Sequence, residues 1–377
     1  MSKSLKLIII GSYAPSLINF RGKLIEAAVN HGVQVVAMAP DLDEETIRAL
    51  NDLGAEAIPY SLQRTGMNAV ADIFCLFDLY KIFRNEKPDL VLSYTIKPVI
   101  YASIAARMLG VKNIFSIVTG LGDSYMMAEG WKQKVVSLFA LTLYKFSVAI
   151  NKRVFFQNLD DRDFFENKGV IPRAKSIIIN GSGIDLDYFY VVELPSSPRF
   201  LMIARLLKQK GVYEYVEAAR IIKKQYPDVQ FDLAGWVDEA PTLTAVRQQE
   251  LNEWIEEGVI NYLGMLSDVR PAIEKCSVYV LPSYREGKPR TVLEAMAMGR
   301  AILTTDVPGC RDTVENGKNG YLVASKSSSA LAQRMDWFIG CNDVNKMGLC
   351  SRQIAEKKYN VLEVNKVILK GLGVLHD

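Results

Sequence analysis

The sequence predicts an α/β protein built as two parallel-sheet domains in series. Three observations carry that expectation. Short β-branched runs alternate with helix-length segments, which is the pattern of strands joined by helical crossovers. The alternation breaks at the proline- and serine-rich stretch Val192–Pro198 and then restarts. A chain of 377 residues, 49% hydrophobic and 23% charged, is long and apolar enough for two separate cores.

In the first half the strand-like runs are KLIIIG (6–11), VQVVAMAP (33–40), AEAIPY (55–60), DLVLSY (89–94), NIFSIVTG (113–120) and RVFFQN (153–158). Helical patterns lie between them. In IKPVIYASIAARMLG (96–110), small and apolar residues recur at i, i+3, i+4 spacing, and Gly110 suits a helix stop. After the break come RFLMIARL (199–206), VQFDLAG (229–235), INYLG (260–264), SVYVLPS (277–283) and AILTTDV (301–307). The expected domains are 1–193 and 194–355, followed by a C-terminal helix, 356–377, able to pack back on the first domain. Ligands of such sheets bind outside the C-terminal strand ends, so the expected site is a cleft that both sheets face.

Composition excludes several classes. A net charge of +3 is too small and too evenly spread to argue for nucleic acid. Cys75, Cys276, Cys310, Cys341 and Cys350 are odd in number and contain no C-x-x-C pair, which points to a reduced, cytoplasmic setting. The apolar run Leu7–Ile10 is stopped by Gly11 and Ser12, too short for a signal-peptide core. Val135–Ile150 is interrupted by Ser137, Thr142, Lys145 and Ser147, whereas a membrane span needs about 20 apolar residues. Its flanks carry Trp131, Lys132, Lys134, Lys152 and Arg153, so the 131–153 segment fits a helix lying on an anionic membrane surface. It fits an amphipathic core helix with a solvated cationic face equally well.

The most informative segment is YREGKPRTVLEAMAMG (284–299), set between two predicted strands. Pro289 suits the first turn of a helix, because it has no N–H to leave orphaned, and Gly299 suits its end. The loop Glu286–Gly287–Lys288 then lies at a helix N-terminus, where free N–H groups and the positive dipole end favour an anion. Glu294 interrupts the apolar face Val292, Leu293, Ala295, Met296, Ala297, and a carboxylate near a core needs a partner. A pair of ribose hydroxyls would serve; a partly exposed surface glutamate is the ordinary alternative. Upstream, Arg205 and Lys210 follow the first strand of the second domain, at the same sheet edge. With Arg285, Lys288 and Arg290 they place several cations where a diphosphate could lie, each charged hydrogen bond contributing about 1.5 to 3 kcal/mol.

These residues resemble glycosyltransferase family 4, whose hallmark is a Glu, seven residues, Glu motif after an upstream Arg and Lys: here Glu286, Glu294, Arg205 and Lys210. LAGW (233–236), YLGMLSD (262–268), LPSYREG (281–287), TTDVPGCRD (305–312) and NGYLV (319–323) extend the likeness across the second domain. The resemblance implies two facing Rossmann-like domains (the GT-B fold) and a retaining, metal-independent transfer from a nucleoside diphosphate sugar. It implies that Arg205 and Lys210 hold the donor diphosphate and Glu294 the ribose. Glu286, with the backbone of Gly287 and Lys288, would hold the donor sugar, and main chain near Gly235, Met265 and Leu266 the base, which suggests uracil.

In the first domain, SLINFRGKLIEAAVNHG (16–32), YTIKPVIYASIAARMLG (94–110) and FSIVTGLGDSY (115–125) resemble relatives that add N-acetylhexosamine-type sugars to undecaprenyl-diphosphate-linked glycans in O-antigen, capsule or N-glycan assembly. That likeness implies Asn19 to Gly22 over the donor phosphates, and Thr119, Gly120 and Gly122 near the transferred sugar. Lys97 would stand on the acceptor side; a solvated lysine is the ordinary alternative. Such an acceptor would make it a peripheral enzyme on the inner face of the cytoplasmic membrane, with the 131–153 segment as the candidate contact. TGLG stands where many members carry a histidine, and the family's N-terminal Gly-Gly pair is absent, with Gly22 as its substitute.

Two stretches, Asp41-Leu42-Asp43 and Asp185-Leu186-Asp187, imitate the D-x-D metal motif of other transferases. The first opens a predicted helix and the second lies in a turn, both positions where Asp caps backbone groups, so no metal is expected and no cofactor beyond the UDP-sugar co-substrate. The rival readings are a nucleotide-sugar 2-epimerase of the same shape, which the shortage of histidine (two in the chain) disfavours, and a non-catalytic nucleotide-sugar-binding subunit, which leaves Glu286 without a purpose.

Overall fold

A computed structural model describes residues 4–63, 68–120, 131–237 and 244–375, with side chains between 131 and 140 described only at Leu138. The fold class is the predicted one: two α/β units, each built on a parallel sheet. One compact unit comprises residues 1–183 with 361–377, the other 184–360.

The first unit's strands are β1 (Lys6–Ile10), β2 (Gln34–Ala39), β3 (Ala55–Pro59), β4 (Leu90–Tyr94), β5 (Asn113–Val118), β6 (Arg153–Phe156) and β7 (Ser176–Ile178). They lie in the order β3-β2-β1-β4-β5-β6-β7, all parallel. Side chains alternate across a strand, so Leu7 and Ile9 enter one core while Ile8 and Ile10 enter another. Both sheet faces are therefore covered, which is why these strands read as unbroken apolar runs. The last helix, Val361–Leu372, buries Val364, Ile368, Leu369 and Leu372 in the core with Leu7 and Ile9.

The second unit holds β8 (Arg199–Ile203), β9 (Gln230–Ala234), β10 (Asn261–Tyr262), β11 (Val278–Leu281), β12 (Ala301–Thr305) and β13 (Gly320–Val323), in the order β10-β9-β8-β11-β12-β13. The Val192–Pro198 stretch belongs to this unit. Arg300, fully buried, clamps it by donating to the carbonyls of Val192 (2.9 Å) and Glu193 (3.1 Å).

The order of each sheet reverses once. The chain steps outward from β1 to β3 and then returns to place β4 on the other side of β1; likewise β11 returns to the far side of β8. Connections leaving the C-terminal ends of the two central strands diverge there and open a crevice, the usual ligand position in open α/β sheets. The connections concerned are Gly11–Ser12 and Thr95 with the helix start at Ile96 and Lys97 in the first unit, Ala204–Gly211 and Pro282–Lys288 in the second.

Two sequence expectations about aspartates meet their geometry here. Asp43 caps the helix Glu44–Asp52 by accepting from the Thr46 N–H at 2.7 Å. Asp185 accepts from the N–H groups of Asp187 and Tyr188, both at 3.1 Å, as a turn aspartate does. One aspartate of each motif, Asp43 and Asp185, thus serves as a local backbone cap.

Candidate active site

At the second unit's reversal point the two diverging loops are locked together. After β8 the chain makes a short 3-10 turn, Lys208–Lys210, then Gly211 with φ +76 starts the helix Val212–Lys223. A Cβ on Gly211 would lie 2.2 Å from the Pro282 carbonyl oxygen, so only glycine lets the β8 loop touch the β11 loop. Tyr284 N–H donates across to the Gln209 carbonyl at 2.9 Å. Gly309, φ +79, makes the same kind of approach from the β12 loop, where an added Cβ would lie 2.3 Å from the Glu286 carbonyl oxygen. Gly235, after β9, presses on the Ala204 carbonyl.

On this scaffold Lys210 and Glu286 meet. Lys210 Nζ lies 2.5 Å from Glu286 Oε1, the same oxygen that accepts from Ser283 Oγ at 2.7 Å. The Glu286 N–H is held by the Pro308 carbonyl at 3.1 Å, so the carboxylate is fixed from both ends. Ser283 is positioned in turn by Thr305, whose hydroxyl donates to its carbonyl. Arg205, one residue beyond the end of the β8 ladder at Ala204, is exposed and makes no side-chain hydrogen bond or ion pair among the described residues. Gln209 Oε1 is buried with no hydrogen-bond partner among them.

The second glutamate follows on the helix Arg290–Ala297, which begins directly after Pro289. Glu294 is 7% exposed, and burial pushes its carboxyl above the usual range, an effect that Arg290 opposes. Arg290 Nε donates to Glu294 Oε1 at 3.0 Å, one helical turn away. Lys288 is also engaged: its ammonium pairs with Asp312 Oδ2 at 2.7 Å, and burial holds it below the usual lysine range. The expected convergence of cations is thus a row of ion pairs, Lys210 with Glu286, Lys288 with Asp312 and Arg290 with Glu294. Nearby Cys310 is fully buried, and burial followed by the Glu286 charge pushes its thiol up to about 12, so it is not a nucleophile at neutral pH.

The base-side residues lie at the ends of β9 and β10. Gly235 donates its N–H to the Gly264 carbonyl at 2.9 Å and accepts from Tyr262 Oη at 2.8 Å. Met265 is 71% exposed and Leu266 half-buried.

Comparison with known proteins agrees with this geometry. Residues 197–340 match the family described as Glycosyl transferases group 1, and residues 18–158 the one described as Glycosyl transferase 4-like. The N,N'-diacetylbacillosaminyl-diphospho-undecaprenol alpha-1,3-N-acetylgalactosaminyltransferase of Campylobacter jejuni is 30% identical over 334 residues, covering 85% of this chain and 85% of its own. The chain belongs to this glycosyltransferase family. The UDP-Gal:alpha-D-GlcNAc-diphosphoundecaprenol alpha-1,3-galactosyltransferase of Escherichia coli is 28% identical, covering 68% of each chain. Among solved structures, Anabaena HepE in complex with UDP-glucose superposes with a TM-score of 0.79 at 16% identity, over 98% of this chain and 100% of that one, a likeness of fold.

In this glycosyltransferase the first unit's reversal point is built differently. Gly11 packs on Tyr94, where a Cβ would lie 2.2 Å from the ring, and Arg21 stacks its guanidinium on the same ring, 4.8 Å from the centroid. Thr95 has φ +66 and ψ 153, a strained backbone for a β-branched residue, and its hydroxyl donates to Ser12 Oγ at 3.0 Å. Gly22 opens the helix Gly22–Asn30, where an added Cβ would sit 3.6 Å from Leu53 in ordinary contact. Lys97 is neither solvated nor open: its ammonium pairs with Asp72 Oδ1 and donates to the Gln63 carbonyl, both at 2.9 Å. Thr119 and Gly120 follow β5, half-buried, and Gly122 lies outside the described residues.

Sequence reasoning assigned no role to Ser283 or Asp312. Asp312 lies in the quoted stretch TTDVPGCRD, but only the packing of the β12 loop under the β11 loop brings it to Lys288. The Arg290–Glu294 pair carried a legible signal, its four-residue spacing on one helix.

Proposed function

We propose that the protein is a retaining, metal-independent glycosyltransferase. It moves a sugar of N-acetylhexosamine type from a UDP-sugar to a saccharide carried on a polyprenyl diphosphate such as undecaprenyl diphosphate. The observation that carries this reading is the Lys210–Glu286 pair, braced by Ser283, at the reversal point of the second sheet. The C. jejuni and E. coli relatives, whose names state diphospho-undecaprenol acceptors, support the acceptor class.

As the bond from the anomeric carbon to the diphosphate breaks, positive charge develops on the sugar and negative charge on the departing oxygen. Lys210 and Arg205 stabilise the leaving group more strongly in the transition state than in the bound donor, which is the condition for catalysis. The acceptor hydroxyl attacks the face the diphosphate leaves, and the leaving phosphate oxygen takes its proton, so no protein nucleophile is required. Glu286 receives hydroxyls of the donor sugar. Glu294, whose carboxylate is disfavoured by burial, receives the ribose hydroxyls. Main chain around Gly235, Met265 and Leu266 meets the base, and Gly22, with the backbone of Gly287 and Lys288, lies along the donor. Lys97, Thr119, Gly120 and Gly122 belong to the acceptor side, Lys97 by fixing the segment after β4 rather than by touching phosphate.

An acceptor carried on lipid places the enzyme at the cytoplasmic face of the membrane as a peripheral protein. No helix among the described residues is long and apolar enough to cross a membrane. The 131–153 segment offers one contact, since its helix Trp131–Ala149 leaves Leu138 and Phe146 exposed. The test incubates purified protein with a panel of UDP-sugars, with and without lipid-linked saccharides, and follows UDP release. Release that depends on acceptor and persists in EDTA is expected; conversion of the nucleotide sugar without acceptor would replace the transferase with an epimerase.

A further inference from the structure

The helix Ala69–Glu86 packs on the first sheet through Cys75, Leu79 and Phe83. Its opposite side is also apolar. Val70, Ile73, Phe74 and Phe77 are 63%, 55%, 67% and 58% exposed, and Lys81 and Arg84 continue the same line toward the helix end. At 3.6 residues per turn these six side chains fall within an arc of about 100°, centred opposite Leu79. A run of four large exposed apolar residues on one face is far from the scattered single exposures of an ordinary surface.

The charges on this helix are sorted. Its acids are turned to the protein: Asp72 pairs with Lys97, Asp78 accepts from the Ser61 N–H at 2.8 Å, and Glu86 pairs with Lys6 at 3.0 Å. Its two cations, Lys81 and Arg84, are exposed and make no side-chain hydrogen bond or ion pair among the described residues. The outward face therefore carries apolar side chains and positive charge with no acid. A second copy of the same face would bring nothing negative to meet those cations.

We propose that this face docks the enzyme on an anionic lipid bilayer, with Val70, Ile73, Phe74 and Phe77 entering the acyl boundary and Lys81 and Arg84 meeting headgroup phosphates. The proposal rests on the reading of a lipid-borne acceptor and names a surface beyond the 131–153 segment. The helix is tied to the first unit's reversal point, because Asp72, in its first turn, holds Lys97, two residues beyond the strained Thr95. Docking through the outer face thus sets the height of that loop above the bilayer, where the acceptor's diphosphate emerges.

The test is flotation of the full chain with vesicles of phosphatidylcholine alone or mixed with phosphatidylglycerol, beside transfer to a water-soluble short-chain acceptor. Wild type is expected to float with the anionic vesicles, less so at high salt. Phe74→Glu/Phe77→Glu should lower the bound-to-free ratio at least tenfold, and Lys81→Ala/Arg84→Ala about fivefold per cation on anionic vesicles only. Both variants should keep wild-type transfer to the soluble acceptor, which shows that they fold. Equal flotation of variants and wild type, or a wild type that transfers but does not float, overturns the proposal. So does a wild-type dimer that Phe74→Glu/Phe77→Glu dissociates without any vesicle binding. A wild type that floats, loses flotation in the variants, and transfers to no acceptor upholds this surface and defeats the transferase reading instead.

Discussion

At the reversal point of the second sheet three cations meet three acids as pairs, whereas the same place in the first sheet holds the hydroxyls of Ser12 and Thr95, the Tyr94 ring and Arg21. Both crevices arise from one topological cause, a strand that returns to the other side of its sheet. What the chain places there differs with the work proposed. In the proposed reaction the second unit would handle a departing diphosphate, and its groups are charged and set on loops that meet through close glycine contacts. The first unit would handle the acceptor side, and its distinguishing feature is a strained backbone at Thr95.

The sharpest way to break this comparison is to remove the charge from one side only. Lys210→Ala is expected to lower kcat by about 10² to 10³, or ~2.7 to 4 kcal/mol of transition-state stabilisation, as loss of a preorganised donor does. Thr95→Gly should instead raise the KM for the acceptor while UDP affinity is unchanged. Steady-state UDP release with each substrate varied reads both, and a Lys210→Ala enzyme at full rate removes the catalytic role given to the pair.

The next effect is on stability. Gly211→Ala faces both a positive φ and the Pro282 carbonyl, and should cost on the order of 3 kcal/mol in chemical denaturation. Gly22→Ala has ordinary room beside Leu53 and sits in a helix, so its stability should hold or rise by up to about 1 kcal/mol. If the Gly22 backbone lies over the donor phosphates, transfer nevertheless falls about tenfold, ~1.4 kcal/mol. Intact transfer in Gly22→Ala would separate that residue from the donor.

The smallest effect is a pH dependence. Burial raises the Glu294 carboxyl above its ordinary value of 4.5, so the folded state binds a proton that the unfolded state has lost. Stability from this group is therefore full below about pH 4.5 and declines as pH rises through the raised folded value. Glu294→Gln should gain melting temperature relative to wild type as pH climbs through that window, while losing donor affinity. A difference between the two proteins that does not change with pH would contradict the burial argument.

The central strands were legible because strands covered on both faces must be apolar throughout, and Leu7–Ile10 or Val278–Leu281 can be little else. The edge strands β7 and β13 were not predicted. Each has one ladder partner and three or four residues, and β13 starts at Gly320, whose close approach to the Ile302 carbonyl looks like a turn signal in sequence. In the candidate site the spacing of Arg205, Lys210, Glu286 and Glu294 was legible. The neutralising partners were not, because Asp312 reaches Lys288 across 24 positions and Asp72 reaches Lys97 across 25, and only tertiary packing sets such pairs. The outward stripe on the helix Ala69–Glu86 escaped notice for a related reason: with apolar side chains on two opposite faces it shows no amphipathic asymmetry.

Pairing before substrate arrives has a consequence for the crowded interior of a cell. A pocket of bare cations would fill with inorganic phosphate, ATP and other plentiful anions. Here Lys210, Lys288 and Arg290 already have acids beside them, so these three together project little net attraction and a simple phosphate must compete with Glu286 for Lys210. In the proposed function, a molecule that offers hydroxyls to the carboxylates at the same moment as phosphate to the ammonium gains from both, and self-neutralisation would then act as a filter for sugar nucleotides.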